Sequence, residues 1–349
     1  TVDVTDVNEA PVLFDAVRSV RENTLAPGKV GAPVTGTDPD NAHPVLGVRQ
    51  QLLYSIVGGD GVALFKVDPC SGQLEVRDEA SLNFEAKPVY TLTLQARDDV
   101  QPTPLTATAT VTISLVDAND APSIVVPPGG YVLQVEELAP VGTVLVSASG
   151  LVDRISATDE DVASATADWA RLRWSLKSGN SLGIFDIDAV TGQVSVADFG
   201  RMDFENKDLN AFSLVAQVCD SGAPALCAET PVRVEVLNSN EPPRLEDASR
   251  AVNENTLSEA KLVAGQQLGL DLVASDPDGP SDEAKLRWRI ESGDSLGFFS
   301  ISEAGRAGSL VLTAAGAMGL NHEVVDSYTL VVSVTDAGGL SDTAPVTVA

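Results

Sequence analysis

The stretch DANDAP, Asp117–Pro122, decides how this chain folds, because the chain meets it three times: as DVNEAP at Asp6–Pro11, as DANDAP itself, and as NSNEPP at Asn238–Pro243. Each copy closes a valine-rich run (TVDVT, TVTISLV, VRVEVL) and opens a new segment, so one kind of junction recurs. Working outward, Glu22, Glu137 and Glu254 each follow an apolar opening segment. Asp38 and Asp40 in TDPD match Asp159 and Asp161 in TDED, and Asp276 and Asp278 in SDPD. Asn83 and Glu85 (LNFE) match Asp203 and Glu205 (MDFE) and Asn321 and Glu323 (LNHE), while Asp98, Asp220 and Asp336 each end a strand-like run. Every landmark returns after about 110 to 122 residues. A period of that length marks a tandem array, and it has to be recognised before any local reading is attempted.

Between junctions the chain is built of short alternating segments. In the first unit they read VLFDAV, KVGAPVTG, LLYSIVG, LFKVD, QLEVRD, VYTLTLQA and TATVTISLV. Apolar side chains at every second position put one face of each strand inward, and Gly, Pro and Asp turns separate them. Seven such strands per repeat predict an all-β chain of three tandem seven-stranded Greek-key β-sandwiches of immunoglobulin-like type, in an elongated array, with helix only as isolated turns. RLRWSLKSGNSLGIFDID lines up with QLLYSIVGGDGVALFKVD and KLRWRIESGDSLGFFSIS, which places Tyr54, Trp174 and Trp288 at one equivalent position. An aromatic ring packed between sheets is the expected role. Trp169, beside the insertion around TADWARL, falls outside that register.

Length alone, 349 residues, points to two or three domains, and the repeats settle on three. A net charge of −28 argues against nucleic acid and anionic membrane surfaces, both of which would repel the chain, and favours cations as partners. No apolar run reaches the roughly 18 to 20 residues of a membrane-spanning helix, and the amino end lacks the basic and apolar regions of a leader. The opening TVDVTDVNEAP and the ending APVTVA read as a piece of a longer array. Cys219 and Cys227 flank DSGAPAL at the turn between the last two strands of the second repeat. A cross-strand disulfide there would contribute roughly 2.5 kcal/mol; two reduced thiols are the alternative. For Cys70, in the turn DPCSG, a free thiol and an intermolecular bridge are both open. His43 and His322 are far apart in the chain and are expected to face solvent.

A Glu after the first strand, D-x-D after the second, L-D-x-E after the fifth, A-x-D after the sixth and D-x-N-D-x-P between units resemble the cadherin repeat, over essentially the whole chain. The resemblance divides it into residues 1–9, the end of a preceding repeat and its linker, and repeats at 10–117, 118–238 and 239–349. Two departures stand out. The linkers are shorter than D-x-N-D-N-x-P, a spelling closer to cadherin-like repeats of large non-animal surface proteins. Asn replaces Asp at 83 and 321, which removes a formal charge.

In such sandwiches the Glu and the fifth-strand pair lie at one pole, D-x-D and the sixth-strand Asp lie at the other, and the linker joins them. At the first junction this gathers Glu22, Glu85, Asp120, Asp159, Asp161 and Asp220, with Asn83 and Asn119 as neutral oxygen donors. At the second it gathers Glu137, Asp203, Glu205, Glu241, Asp276, Asp278 and Asp336, with Asn240 neutral, and Glu136 competes for the place of Glu137. Crowded carboxylates repel one another unless cations neutralise them. All-oxygen donors without a Cys or His cluster select Ca²⁺ over Zn²⁺. The resemblance implies up to three Ca²⁺ per junction, with the carbonyls of Ala118, Ala121, Ser239 and Pro242 adding ligands. Asn83 is expected to weaken the outermost ion of the first junction, leaving two firm ions and one weak. Asn8, Asp38, Asp40 and Asp98 form half a junction with one residual ion, and Glu254, Asn321 and Glu323 are expected to be empty.

The expected function is that of an extracellular, secreted or cell-surface array stiffened by Ca²⁺, serving adhesion or acting as a strut of a surface protein or filament. Its partners would be other protein chains, homophilic or filament neighbours, and the adjoining repeats; nucleic acid and direct membrane insertion are not expected. The alternative is a carbohydrate-binding or enzyme-accessory sandwich, for which Trp169 is the one candidate platform. Catalysis is not expected: acid pairs such as Asp276 and Asp278 recur in every repeat, and no nucleophile elbow or phosphate loop is present.

Overall fold

In the computed structural model the described residues are 7–42, 51–78, 82–100, 102–163, 169, 171–254 and 261–349. Strands account for nearly all regular structure, with helix confined to single turns, as at Pro280–Glu283 and Ala314–Gly319. The chain forms two compact units: residues 1–125, 157–173 and 217–229, and residues 126–156, 174–216 and 230–349. His43 lies outside the described residues.

The first unit contains a sandwich made of β1 (Ala16–Arg21), β2 (Leu53–Gly59), β3 (Phe65–Val67), β4 (Leu74–Val76), β5 (Val89–Arg97) and β6 (Thr106–Val116). One sheet runs β1-β6-β5-β2, and β3 pairs with β4 in a second. Alternation decides which face is inward. On β5 the buried side chains are Tyr90, Leu92, Leu94 and Ala96, and on β6 they are Ala109, Val111, Ile113 and Leu115. They pack with Phe65, Leu74 and Val76 from the β3–β4 hairpin in one core. β1 lies parallel to β6, which carries the chain directly to Glu22. The register of β2 on β5 slips between Ile56 and Gly58. Just beyond the slip Gly59 sits at φ 105°, and a Cβ there would lie 2.2 Å from the Thr91 carbonyl oxygen, so this close approach of β2 to β5 requires glycine.

Two expected strands are shorter than the alternation suggests. KVGAPVTG forms no ladder; it is held by the Lys29–Glu75 bridge and by bonds from Val30 N to the Leu74 carbonyl and Val34 N to the Gly72 carbonyl. Gly31 at φ 58° turns the backbone and Pro33 has no N–H to donate. VLFDAV contributes the isolated Val12–Thr37 bridge, and continuous pairing starts at Ala16. The same unit holds the short pair β7 (Ser123–Ile124) and β9 (Ala157–Thr158). It also holds the Cys219–Cys227 disulfide, and Cys70 is free and exposed.

In the second unit β8 (Tyr131–Glu136) pairs parallel with β14 (Cys227–Leu237) over Val232–Leu237, and β11 (Phe185–Ile187) pairs with β12 (Val194–Val196). β10 (Arg173–Ser178) and β13 (Ala211–Cys219) complete the sheet order β10-β13-β14-β8, and the parts of these strands in this unit are Trp174–Ser178, Ala211–Ala216 and Thr230–Leu237. The last sandwich has β15 (Arg244–Leu245), β16 (Ala248–Arg250), β17 (Leu272–Ser275), β18 (Arg287–Ser292), β19 (Phe299–Ala304), β20 (Ala307–Leu312), β21 (Tyr328–Thr335) and β22 (Ser341–Val348). Its sheets run β15-β17-β20-β19 and β16-β22-β21-β18. Leu272, Ala274, Phe299, Leu310 and Leu312 from one meet Trp288, Leu330, Val332, Val334 and Val346 from the other in a single core.

Tyr54, Trp174 and Trp288 are all buried, at 7%, 6% and 5% exposure. The Trp288 indole N–H donates to the Gly305 carbonyl at 2.8 Å, and the Tyr54 hydroxyl accepts from Gly36 N at 2.8 Å. Among the described residues no helix is long and apolar enough to cross a membrane. Leu94 is fully buried on the central strand β5, so Leu94→Ala is expected to destabilise the first sandwich by about 3 kcal/mol, read from urea denaturation.

Candidate metal centres

The first junction is assembled inside the first compact unit by backbone donors pulling on carboxylates. Glu22, immediately after β1, is 1% exposed. Its carboxylate accepts from Phe84 N at 2.5 Å and from Ala118 N at 2.8 Å, tying the fifth-strand motif and the linker to one side chain. Asp161 is fully buried and accepts from Asp120 N at 2.9 Å; Asp159 accepts from Asp161 N at 3.1 Å. Asp220, at the end of β13, accepts from Gly222 N and Leu226 N through Oδ1, and from the Asn119 amide at 2.8 Å through Oδ2. A Cβ at residue 222 would lie 2.2 Å from Asn119 Oδ1, so glycine leaves room for the linker side chain.

These bonds bring two sets of oxygens together. Glu22, Glu85 and Asp117 each offer one, all within 4.8 Å of one another, and Glu85, Asp120 and Glu160 do the same. The sequence motifs assign neither Asp117 nor Glu160 as a ligand. Asp117 opens the linker and Glu160 is the middle residue of TDED, where the other repeats have Pro39 and Pro277. That contrast was the available signal.

The second junction, inside the second unit, repeats the construction. Glu137, 2% exposed, accepts from Phe204 N at 2.7 Å and Ser239 N at 2.8 Å, whereas Glu136 is exposed at the end of β8. The structure thus gives this place to Glu137. Asp278 accepts from Glu241 N at 2.9 Å, Asp276 accepts from Asp278 N at 3.1 Å, and Asp336 accepts from the Asn240 amide at 2.8 Å. Glu137, Glu205 and Glu241 bring oxygens within 4.8 Å. Asp203 turns Oδ1 to Asn206 N at 2.9 Å. At the amino end the Asn8 amide donates to Asp98 and Glu9 N to Asp40, both at 3.0 Å, and Asp38 accepts from Asp40 N at 3.0 Å. Toward the carboxyl end Glu254 accepts from His322 N at 2.6 Å, with Asn321, His322 and Glu323 exposed.

Electrostatically the junctions are predominantly acidic. Glu22, Glu85 and Asp120 are each opposed by neighbouring carboxylates, while at the second junction Arg244 attracts Glu241 against the repulsion of Glu137, Asp278 and Asp203. Both Glu85 carboxylate oxygens, Asp159 Oδ2, Asp161 Oδ1, Asp276 Oδ2 and Asn119 Oδ1 are buried without a hydrogen-bond partner. Oxygens of that kind are costly to bury unless something positive meets them. The donors are hard and flexible in number, which fits a divalent cation of the Ca²⁺ kind. Burial pushes Glu85 up to about 7, with repulsion from Glu22, Asp117 and Asp161 adding to it. Burial likewise pushes Asp159 up to about 6, assisted by Asp161 and Asp220. Glu22, Asp120, Glu205, Glu241 and Asp276 are also raised, burial being the largest cause in each.

Residues 17–116 and 131–237, more than half of the chain, match the Cadherin domain. This chain belongs to the cadherin family. It is 33% identical to human protocadherin Fat 1 over 347 residues, covering 97% of this chain and 7% of that protein, so it spans a small part of the relative's length. Its fold is similar to that of mouse cadherin-23 EC22-24, with a TM-score of 0.64 at 23% identity over 98% of both chains. It is also similar to mouse protocadherin-24 EC1-3, with a TM-score of 0.60 at 19% identity over 100% and 99% of the two chains. Cadherin repeats are extracellular, a setting in which the Cys219–Cys227 disulfide persists.

The raised carboxylates give this cadherin chain a pH dependence of unusual sign. In the folded state Glu85 and Asp159 keep protons that the unfolded chain has already released. In chelator, the stability they contribute is therefore lost as pH rises from about 4 through about 7. The melting temperature in chelator is expected to fall across that window, and Ca²⁺ is expected to remove the fall, both read by circular dichroism.

Proposed function

We propose that this chain is a calcium-binding part of an extracellular cadherin array whose linkers are held rigid by Ca²⁺ at the junctions, serving adhesion or acting as a structural strut. The repeats are taken as 10–117, 118–238 and 239–349, with 1–9 ending a preceding one. The single observation carrying the reading is the set of buried carboxylate and amide oxygens at the junctions that have no partner.

Bound Ca²⁺ would supply the positive charge that offsets the repulsion among these acids. At the first junction Glu22, Glu85, Asn119, Asp120, Asp159, Asp161 and Asp220 would hold it, with Asp117 added to the set; Asn83 spends Oδ1 on Ala86 N. At the second junction the holders would be Glu137, Asp203, Glu205, Asn240, Glu241, Asp276, Asp278 and Asp336. Asn8, Asp38, Asp40 and Asp98 would hold a single ion beside Glu9. The chain's own part is to bring these oxygens together before the ion arrives. Glu22 and Glu137 clamp the linker by its backbone N–H groups, and Asp161 and Asp278 fix the residue two positions later. Partners would be neighbouring protein chains, copies of the same protein or members of a filament, together with adjoining repeats. A carbohydrate platform at Trp169 has no support, since that residue is half-buried and its carbonyl accepts from Ser221 N.

Linker flexibility can be read by proteolysis after acidic residues. In chelator, cleavage is expected after Asp117 and Asp120, with fragments identified by mass spectrometry; millimolar Ca²⁺ is expected to suppress it. Identical cleavage in both conditions contradicts the proposal.

A further inference from the structure

The first junction lacks a carboxylate that the second one has. Asn83 stands where Asp203 stands, and the structure shows how the neutral side chain is used: its oxygen accepts from Ala86 N and its amide donates to Glu160 Oε2, both at 2.5 Å. Glu160 belongs to the far side of the linker, in the turn Glu160–Ala163. Its carboxylate lies with those of Glu85 and Asp120, one oxygen of each within 4.8 Å of the others. At the second junction the position of Glu160 is Pro277, and Asp203 keeps the charge. The two changes are complementary.

We propose that Glu160 replaces the missing fifth-strand carboxylate and completes, with Glu85 and Asp120, a cation site at the outer edge of the first junction. The inference rests on the calcium reading above and goes beyond it, because it moves a ligand from one repeat to the next. Besides the acids themselves, the neighbouring oxygens point to a ligand. Asp161 is fully buried, holds Asp120 by its backbone N–H and leaves Oδ1 unpartnered, and both oxygens of Glu85 are shielded from solvent with no donor. The Asn83 amide aims the exposed Glu160 side chain, which an aspartate at 83 would instead repel. With Glu160 the outer site has three carboxylates, so the deficit at Asn83 does not make it the weak one.

The test is Ca²⁺ titration of the whole chain against a chromophoric chelator, for the wild type, Glu160→Gln, Asn83→Asp and the double variant. Glu160 is exposed at the surface, and circular dichroism verifies that each variant is folded. Glu160→Gln is expected to weaken one ion by about ten- to a hundredfold, and adding Asn83→Asp is expected to recover most of that loss. Unchanged affinity and stoichiometry in Glu160→Gln overturn this inference alone. A wild-type chain that binds no Ca²⁺ overturns the calcium reading along with it.

Discussion

Buried carboxylates crowded against one another are the constraint on which the rest of the molecule depends. A charge taken out of water needs either an opposite charge or several good donors. Here the donors are asparagine side-chain amides and backbone N–H groups, and they repeat. The linker asparagine donates to the Asp that ends the sixth-strand motif at Asn8–Asp98, Asn119–Asp220 and Asn240–Asp336. The next linker residue donates its N–H to the second Asp of D-x-D at Glu9–Asp40, Asp120–Asp161 and Glu241–Asp278. Those bonds fix the linker, yet they leave several oxygens unpartnered, and a cation is the natural complement.

The sandwiches exist, in this view, to hold such acids still. Each acid sits at a strand end or in a turn whose geometry is set by packing elsewhere. Glu22 and Glu137 follow strands that lie parallel to the last strand of their own sheet. At Gly59, Gly179 and Gly293, all at positive φ, a Cβ would lie within 2.2 Å of a neighbouring carbonyl oxygen, so the same close approach is built three times. Gly222 and Gly338 leave room for Asn119 and Asn240 in the same manner. Identical solutions to identical constraints explain why so diverged a set of repeats keeps its landmarks.

Much of this was legible in the sequence, because period-two alternation and the recurrence of acids at fixed offsets are strong signals. Tyr54, Trp174 and Trp288 could be placed in the core from the alignment of three segments alone. Other features lay below what a linear pattern conveys. KVGAPVTG alternates well enough to read as a strand, and only the conformation of Gly31 and the missing donor of Pro33 reduce it to a bridge. The choice between Glu136 and Glu137 depended on which side chain the end of β8 turns inward. Glu160 was passed over because D-x-D treats its middle position as free; its significance appears only when Asn83, 77 residues earlier, is seen to donate to it.

The central claim is that metal fills the seams where these acids meet. Crystals of the chain grown in millimolar Ca²⁺ and measured at long wavelength test it most directly. Anomalous density is predicted among Glu22, Glu85 and Asp120 and among Glu137, Glu205 and Glu241. Seams without such density, with the carboxylates turned out to bulk water, would contradict it.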